Sequence, residues 1–462
     1  MNAPVASLLL QNRDREGAVL HKAPAMSSRP PVRPGSGSDR WFEIKTQVHH
    51  KLLNALTADQ LKNLNKDSVR GQIGAVVERL ILDEALPITL AEREKLIEEI
   101  LDEVFGLGPL EPLLKDPTIT DIMVNGFDNI YIERGGRVVE TNVRFKDQAH
   151  IRMIIERIVS AVGRRIDDSS PIVDARLVDG SRMCAVIPPL SLIGPVLSIR
   201  RYGKRVLSAD ELLKHETLTP GILTFLNACV QARLNIVISG GSGAGKTTML
   251  NTLSRFIPDD ERIVTIEDTA ELNLQQNHVV RLETRPPNIE GAGAVTQRDL
   301  LINTLRMRPD RIIVGESRGA EALDMLQAMN TGHDGSMTTV HANAPRDAFS
   351  RLETMVMIAS QHVPDQVIRQ QLASAINLVV HCARLSDGTR KVTGIAEVVG
   401  VENDQVEMQD LFEFDRKGVS PRGKVLGTFR GSGNRPVCAD RLRSYGVPVS
   451  ESIFQEISEV GV

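Results

Sequence analysis

The stretch Gly240-Gly241-Ser242-Gly243-Ala244-Gly245-Lys246-Thr247 decides the fold, because it matches the phosphate-loop pattern G-x-x-x-x-G-K-[ST] at every position. Its glycines allow consecutive backbone N–H groups to turn inward around a β-phosphate. Lys246 is placed to reach the β and γ oxygens, and Thr247 offers its hydroxyl to a magnesium ion. The pattern predicts a site for a nucleoside triphosphate with Mg²⁺.

The residues on either side of this loop predict a strand and a helix. Leu234-Asn235-Ile236-Val237-Ile238-Ser239 is a β-branched run of the buried-strand type, and Thr248 opens a helical segment. The N-terminus of a helix favours anions, because its first N–H groups lack helical partners. This context separates the loop from an ordinary glycine-rich turn, and we place Thr248 among the nucleotide-binding residues.

The composition is that of a multidomain globular protein. The chain has 462 residues, 41% hydrophobic and 25% charged, with a net charge of −4. That charge gives no global basic field, so we expect no direct contact with nucleic acid. No run of eighteen apolar residues and no basic-led leader is found, which predicts a cytoplasmic protein without a spanning helix. Four scattered cysteines without a C-x-x-C pair exclude a zinc ribbon and a disulfide framework.

The N-terminal part of the chain changes character twice. Residues 1–40 are rich in proline, glycine and serine, which predicts a disordered arm. Apolar residues at helical spacing over 41–105 predict a small helical bundle. Short strands around one helix over 106–205 predict a separate α+β domain.

The C-terminal part is dominated by an α/β pattern. After a linker at 206–219, strands alternate with helices over 220–400, which is typical of a doubly wound sheet. Residues 401–462 form an extension of short strands and turns that ends in a helical stretch near 451–460. The sequence does not show what this extension does.

Acidic residues follow two candidate strands of the α/β region. The run Arg262–Ile266 leads to Glu267, and the run Arg311–Gly315 leads to Glu316. Ligands of open α/β sheets bind at the carboxyl ends of the strands, so both acids are expected beside the phosphate loop. Thr247, Glu267 and Glu316 are therefore the candidate metal ligands, and the two acids are also candidates for positioning the attacking water.

Two histidines flank a third candidate strand. Ser336–Val340 is followed by His341 and preceded by Thr331-Gly332-His333-Asp334-Gly335. A histidine at the mouth of a strand can contact a γ-phosphate or a neighbouring subunit, although a single histidine is often structural. His341 and His333 are both kept as candidate catalytic residues.

Three further motifs carry a resemblance to a known family. Glu267–Glu271 (EDTAE), Leu305–Glu316 (LRMRPDRIIVGE) and Gly332–Ser336 (GHDGS) resemble the Asp box, the atypical Walker B motif and the His box of the type II/IV secretion ATPase superfamily. Over residues 41–399 the chain is most similar to the CpaF/TadA branch, which powers assembly of Tad (Flp) pili. The resemblance implies a RecA-like P-loop domain preceded by a PAS-like α+β domain.

This resemblance also implies partners and roles. It implies a homo-hexameric ring that hydrolyses ATP with Mg²⁺ and acts on inner-membrane platform proteins from the cytoplasmic face. Glu316 matches the Walker B glutamate and Glu267 matches the Asp-box acid. The family also uses arginines of the α+β domain on the phosphates, and the matching residues here are Arg176, Arg182, Arg200 and Arg201. Guanidinium groups suit this role because their donors fit phosphate oxygens, although the same arginines could lie on a solvated face.

The sequence bears differently on several other functions. The scattered cysteines cannot form the tetracysteine zinc motif of some pilus-extension relatives, which favours the CpaF branch. A GTPase is disfavoured because Asn65-Lys66-Asp67-Ser68 misses the base-reading pattern and precedes the loop. A small-molecule kinase would not need so large an N-terminal region. A conjugative secretion ATPase and a nucleotide-gated scaffold with little turnover stay open as alternatives.

Overall fold

The computed structural model describes residues 41, 44, 45, 48, 66–83, 88–201, 207–288, 291–360 and 363–460. The predicted arm at 1–40 lies outside these residues. The chain divides into two compact units, Met1–Gly108 and Pro109–Val462. Within the described ranges, no helix is long and apolar enough to span a membrane.

Among the described residues of the first unit, two long helices are α1 (Lys66–Asp83) and α2 (Leu90–Phe105). Helix α2 begins with a capping box in which Thr89 and Glu92 each bond the other's backbone N–H. Its apolar stripe, with Leu96 and Ile100, is buried in a small hydrophobic cluster. Helical apolar spacing therefore produces the helices predicted for this region.

The second unit begins with an antiparallel sheet of six strands in the order β3-β2-β1-β6-β5-β4. Helix α4 packs its apolar face into this domain through four buried isoleucines, and a short helix α3 precedes β1. The α+β prediction is confirmed. The elements are α3 (Glu111–Lys115), β1 (Ile119–Val124), β2 (Ile130–Arg134), β3 (Arg137–Glu140), α4 (Gln148–Ala161), β4 (Ile172–Arg176), β5 (Arg182–Val186) and β6 (Val196–Arg200).

A sheet of ten strands follows, in the order β16-β15-β14-β13-β12-β7-β11-β10-β8-β9. The six strands from β12 to β9 are parallel. Both faces of this part are covered, because Ile236 and Ile238 lie in one buried cluster while Val237 between them lies in the other. The order β12-β7-β11-β10-β8, with the phosphate-loop strand second, confirms the RecA-like prediction.

The strands of the parallel part are β7 (Ile236–Gly240), β8 (Ile263–Glu267), β9 (Val279–Glu283), β10 (Arg311–Val314), β11 (Met337–His341) and β12 (Leu378–Arg384). The helices around it are α5 (Ala209–Lys214), α6 (Pro220–Gln231), α7 (Lys246–Ser254), α8 (Gln297–Thr304), α9 (Glu321–Asn330), α10 (Pro345–Ala359) and α11 (Asp365–Ala375). Helix α5 lies in the segment predicted as a linker, because Ser208 and Glu211 form a capping box at its start.

The C-terminal extension continues this sheet rather than forming a separate body. Strand β13 (Arg390–Glu402) leads into the extension. Strands β14 (Gln405–Val419), β15 (Val425–Gly431) and β16 (Ile457–Val460) follow it in antiparallel pairs, with a short helix α12 (Ala439–Ser444) between β15 and β16. The helix predicted near 451–460 is wrong. A 3-10 turn at Glu451–Gln455 leads into β16, because pairing with β15 satisfies that backbone and Phe454 packs against Phe225 and Phe412.

Candidate functional site

The phosphate loop connects β7 to α7, as its flanking sequence predicts. Gly243 and Gly245 have φ of +67° and +99°, a left-handed conformation that glycine adopts without strain. The loop also passes close to β12, since a Cβ on Gly240 would lie 2.3 Å from the carbonyl oxygen of Cys382. The glycines are therefore required by backbone conformation and by this close approach.

Lys246 is half-buried at the first position of α7. Its Nζ donates a hydrogen bond of 3.0 Å to the carbonyl of Gly241, which folds the side chain back over the loop. Burial lowers the pKa of Lys246; the charge of Glu316 opposes that shift, while the positive charges of Arg318 and Arg200 add to it. Positive groups thus converge on the loop, which suits an anionic ligand.

Glu267, at the end of β8, is 3% exposed and only partly satisfied. Its Oε1 accepts hydrogen bonds of 2.8 Å from the backbone N–H groups of Glu271 and Leu272. Its Oε2 is buried without a hydrogen-bond partner. Burial raises the pKa of Glu267 to about 7, against the lowering effect of the two N–H donors. A buried acceptor of this kind fits a water or metal ligand.

Glu316 lies just beyond β10, the strand next to β8. Its Oε2 accepts a hydrogen bond of 2.7 Å from Nη2 of Arg318, whose Nη1 lies 3.6 Å from Asp268 Oδ2. The two strand ends are close because Gly315 has no side chain: a Cβ there would lie 3.0 Å from Cγ of Glu267. The structure therefore brings both predicted acids to one edge of the sheet.

The two predicted histidines lie at opposite ends of β11. His341 is exposed and aligned with Gly240 at the start of the phosphate loop. His333 precedes the other end of this five-residue strand, about 16 Å along it. There its Nδ1 lies 3.3 Å from the carbonyl of Ala328. Only His341 is placed at the site by this chain.

The predicted arginines of the α+β domain divide into two groups. Arg200, Arg182 and Arg176 are lateral neighbours on β6, β5 and β4, and Asp121 on β1 lies opposite Arg200. We call Asp121, Arg200, Arg182 and Arg176 the arginine row. Arg201 falls on the other face of its strand and donates to backbone carbonyls, including that of Ile119 at 3.4 Å. The structure does not bring Arg201 into the row.

The arginine row lies against the α/β domain. At one end, Arg176 forms an ion pair of 2.7 Å with Glu283 and donates to the carbonyl of Ala270 at 3.2 Å. In the middle, Arg200 lies 3.2 Å from Asp121 and is close enough to Lys246 to affect its titration. Arg182 lies 3.6 Å from Asp174. Arg200 is thus the member of the row whose charge acts on the phosphate-loop lysine, and Arg176 is the member that contacts the α/β domain.

Four functional candidates were missed by sequence reasoning: His381, Arg318, Arg384 and Arg390. His381 on β12 is buried, with Nδ1 2.8 Å from Ser239 Oγ. Arg390 donates from Nε to the carbonyl of Gly243 at 3.3 Å. The spacing in Glu316-Ser317-Arg318 was a usable signal for Arg318. The others were not predictable locally, because their positions depend on β12 pairing with β7.

The side chains at this edge fit a nucleotide with magnesium. Among the described residues, no group of three His, Cys, Asp or Glu side chains is arranged to hold a metal. Magnesium is ordinarily held by few protein groups together with phosphates and waters, so Thr247 and the unpaired Oε2 of Glu267 are sufficient donors on the protein side. When bound, Mg²⁺ supplies positive charge to the β and γ oxygens.

The sequence resembles proteins of secretion and conjugation machines. It is 38% identical over 330 residues to a Mycobacterium tuberculosis (strain H37Rv) protein named for conjugal transfer, covering 70% of this chain and 93% of that one. It is 35% identical over 308 residues to the conjugal transfer protein TrbB of Rhizobium radiobacter, covering 65% and 90%. It is 34% identical over 313 residues to the type IV secretion system protein VirB11 of Brucella suis, covering 62% and 87%.

One solved structure and two family models also match the chain. The Brucella suis VirB11 ATPase crystal structure in complex with sulphate aligns with 65% of this chain and 96% of its own, at 30% identity and a TM-score of 0.35. The profile described as type II secretion system protein E, N-terminal domain, matches residues 41–105. The profile described as type II/IV secretion system protein matches residues 103–420. The chain belongs to the type II/IV secretion system protein family.

Proposed function

We propose that this protein is an ATP-hydrolysing motor subunit of a pilus-assembly or secretion machine. The observation that supports this most is the meeting of the phosphate loop, Glu267 and Glu316 at one edge of a parallel sheet. Catalysis of phosphoryl transfer depends on positioning and on charge stabilisation, and these residues provide both. A phosphate loop without the two acids would bind nucleotide but would lack groups to orient a water.

Each residue has a distinct task in this proposal. Lys246 and the loop N–H groups hold the β and γ oxygens, and Thr247 offers a metal ligand. Glu316 polarises the attacking water once its carboxylate leaves Arg318. Glu267 orders water or metal through its free Oε2. His341 lies beside Gly240 at the start of the phosphate loop, where it is placed to contact the γ-phosphate or a neighbouring subunit.

The arginine row closes the site from the α+β domain. The positive charge of Arg200 acts on Lys246, and an anion bound between two positive groups stabilises both. We infer that Arg200, with Arg182 beside it, grips the γ-phosphate and excludes water while ATP is bound. Release after hydrolysis then converts the chemical step into movement of the α+β domain.

The machine itself is proposed from the family resemblance. A homo-hexameric ring at the cytoplasmic face of the inner membrane would transmit this movement to membrane platform proteins. The absence of a tetracysteine motif in the sequence favours the Tad pilus branch over zinc-bearing pilus-extension ATPases. The moved substrate would be a pilin or a secreted protein.

Steady-state phosphate release from the purified protein tests the enzymatic part. We expect magnesium-dependent ATP turnover by wild type and none by Lys246→Ala. Mass measurement with and without a non-hydrolysable ATP analogue tests the hexamer. ATP binding without turnover would instead support a nucleotide-gated scaffold.

A conjugative secretion ATPase is the second candidate, since two of the relatives above are named for conjugal transfer. A Lys246→Ala allele in the source cells separates the two candidates. Loss of surface pili with unchanged plasmid transfer supports the pilus motor. Loss of plasmid transfer with normal pili supports the conjugative one.

A further inference from the structure

The tip of the β12–β13 hairpin lies between the phosphate loop and the α+β domain. Arg384 ends β12 and Arg390 begins β13, and the two are cross-strand partners. The turn between them is well fixed, because Asp387 accepts hydrogen bonds from the N–H groups of Thr389 at 2.9 Å and Val425 at 2.8 Å. The two guanidinium groups therefore project from a rigid support.

On one side, Arg390 contacts the phosphate loop and Arg384 approaches it. Arg390 Nε donates to the carbonyl of Gly243, and a Cβ on Gly243 would lie 3.5 Å from Arg384 Nη1. A Cβ on Gly245 would lie 3.8 Å from Arg390 Cγ. Burial and the nearby charge of Arg384 lower the pKa of Arg390. Two like charges beside the loop again favour an anion there.

On the other side, Arg384 contacts the β2–β3 turn of the α+β domain. Its Nη2 donates to the carbonyl of Gly136 and lies 3.3 Å from Glu133 Oε1. Glu133 and Arg384 side chains are 17% and 31% exposed, so this ion pair is less screened than a surface pair. A side chain at Gly136 would crowd the contact, because its Cβ would lie 3.4 Å from Arg384 Nη2.

Glu133 connects this contact to the arginine row. It lies opposite Asp121 on β1, which in turn lies opposite Arg200 on β6. The sheet that carries the row is thus fixed to the α/β domain at two places: by Arg176 with Glu283, and by Glu133 with Arg384. Arg200 lies between the two fixed points.

We propose that Arg384 is a positioning residue that docks the α+β domain beside the phosphate loop. Its guanidinium group contacts Glu133 and Gly136 on one side and approaches Gly243 on the other, with Arg390 holding the loop. Docking keeps Arg200 over the nucleotide site, so the effect on turnover rests on the function proposed above. The docking contact itself involves only residues of this chain and can be measured without any turnover.

Hydrogen–deuterium exchange of the nucleotide-free full chain tests the contact from both sides. Arg384→Gln should speed exchange in the β2–β3 turn, residues 133–137, and Glu133→Gln should speed exchange in the hairpin tip, residues 384–390. Two matched controls lie next to these residues. Arg416 bonds Ser386 in the hairpin, and Arg134 pairs with Asp116 inside the α+β domain, so Arg416→Gln and Arg134→Gln should leave the opposite side unchanged.

Turnover and ADP affinity measure the consequence. Each single variant should lower ATP turnover about fivefold with little change in ADP affinity, and the double variant should be no slower than either single one. Additive losses, or unchanged exchange across the contact in both single variants, would overturn the proposal. A wild type that hydrolyses no ATP would refute the proposed function, while the exchange result would still decide the docking contact. Thermal unfolding shows whether Arg384→Gln or Glu133→Gln has lost its fold. If one of them has, the exchange result of the other variant tests the docking contact.

Discussion

Arg318 bridges the acids at the ends of two neighbouring strands: its Nη2 donates 2.7 Å to Glu316 Oε2, and its Nη1 lies 3.6 Å from Asp268 Oδ2. The carboxylate of Glu316 is therefore bonded to a guanidinium group in this structure. The hydrogen bond to Glu316 raises the pKa of Arg318, and the negative charge of Glu316 adds to this shift, while burial opposes it. A carboxylate that accepts a hydrogen bond from a guanidinium group is a weaker proton acceptor. The Arg318–Glu316 hydrogen bond must therefore open before Glu316 can act as the proposed base.

Glu316→Gln should separate binding from turnover. The amide keeps the shape of the side chain but cannot accept a proton, so ATP should bind normally while turnover falls about 100-fold or more. Fluorescent-nucleotide titration and phosphate release measure the two quantities. Glu353→Gln, which removes an ion pair of 2.8 Å with Arg369 between α10 and α11, is the control. Parallel loss of affinity and turnover would instead make Glu316 a metal or structural ligand.

Lys246→Ala should abolish nucleotide binding or turnover without unfolding the protein. The ammonium group of Lys246 is the positive charge that the loop offers to the β and γ oxygens of the nucleotide. Within the protein it donates a hydrogen bond to the carbonyl of Gly241, so its removal should cost little stability. Circular dichroism and the melting temperature check the fold. The control is Lys417→Ala, because Lys417 is half-exposed on β14 and pairs with Glu459 on β16. Wild-type turnover by Lys246→Ala would refute the phosphate-loop assignment.

The sequence predicted those parts of the site that depend on local patterns. The phosphate loop, the strands before Glu267 and Glu316, and the α+β domain follow from spacing and turn chemistry over short windows. Both acids lie where the rule for parallel strands places them. His333 was predicted at the site because it lies beside β11 in sequence. It precedes this strand, however, and therefore lies at the end opposite the phosphate loop.

The missed residues depend on contacts distant in sequence. Arg384 and Arg390 lie at the loop only because β12 pairs with β7, which precedes it by more than a hundred residues. The strand at Ile457–Val460 similarly forms through pairing with β15, which overrides the helical pattern of the C-terminal segment. Long-range pairing is a property of the whole sheet and leaves no local signal.

Glu267→Gln should change how stability depends on pH. The carboxyl has a pKa of about 7 in the folded protein and 4.5 ordinarily, so the folded state holds its proton more tightly. Below pH 4.5 the Glu267 carboxyl is protonated in both the folded and the unfolded state. As the pH rises from 4.5 to 7, the unfolded state releases this proton first, so the free energy of unfolding of the wild type decreases. Above pH 7 the decrease is on the order of 3 kcal/mol. The amide has no charge to desolvate, so the variant should show a flatter profile over this range.

Denaturant unfolding of nucleotide-free protein at several pH values between 5 and 8 measures this effect. The difference between Glu267→Gln and wild type should grow in favour of the variant as pH rises. Glu283→Gln at the end of the adjacent strand β9, where the carboxylate is exposed and paired with Arg176, should not reproduce the trend. Parallel profiles for Glu267→Gln and wild type would show that burial does not hold the proton on Glu267.

Arg200→Glu should reduce ATP turnover far more than ADP affinity. Arg200 is the member of the arginine row whose charge acts on Lys246, and ADP lacks the γ-phosphate that this guanidinium is proposed to grip. Loss of one such donor from a transition state slows the reaction by about 100-fold. Stability should change little, because the side chain is 62% exposed and its pair with Asp121 at 3.2 Å is a surface pair.

The matched control for this variant is Arg152→Glu. Arg152 is a partly exposed arginine of the same domain that pairs with Glu156 within helix α4 at 3.0 Å. Turnover, ADP affinity and the exchange of residues 182–200 with and without a non-hydrolysable ATP analogue should be measured for both variants. The analogue should protect this segment in wild type and Arg152→Glu but not in Arg200→Glu, because only the last has lost the group that contacts the γ-phosphate. If Arg200→Glu kept both wild-type turnover and analogue-induced protection, Arg200 would be a solvated surface arginine and the closing movement would need another residue.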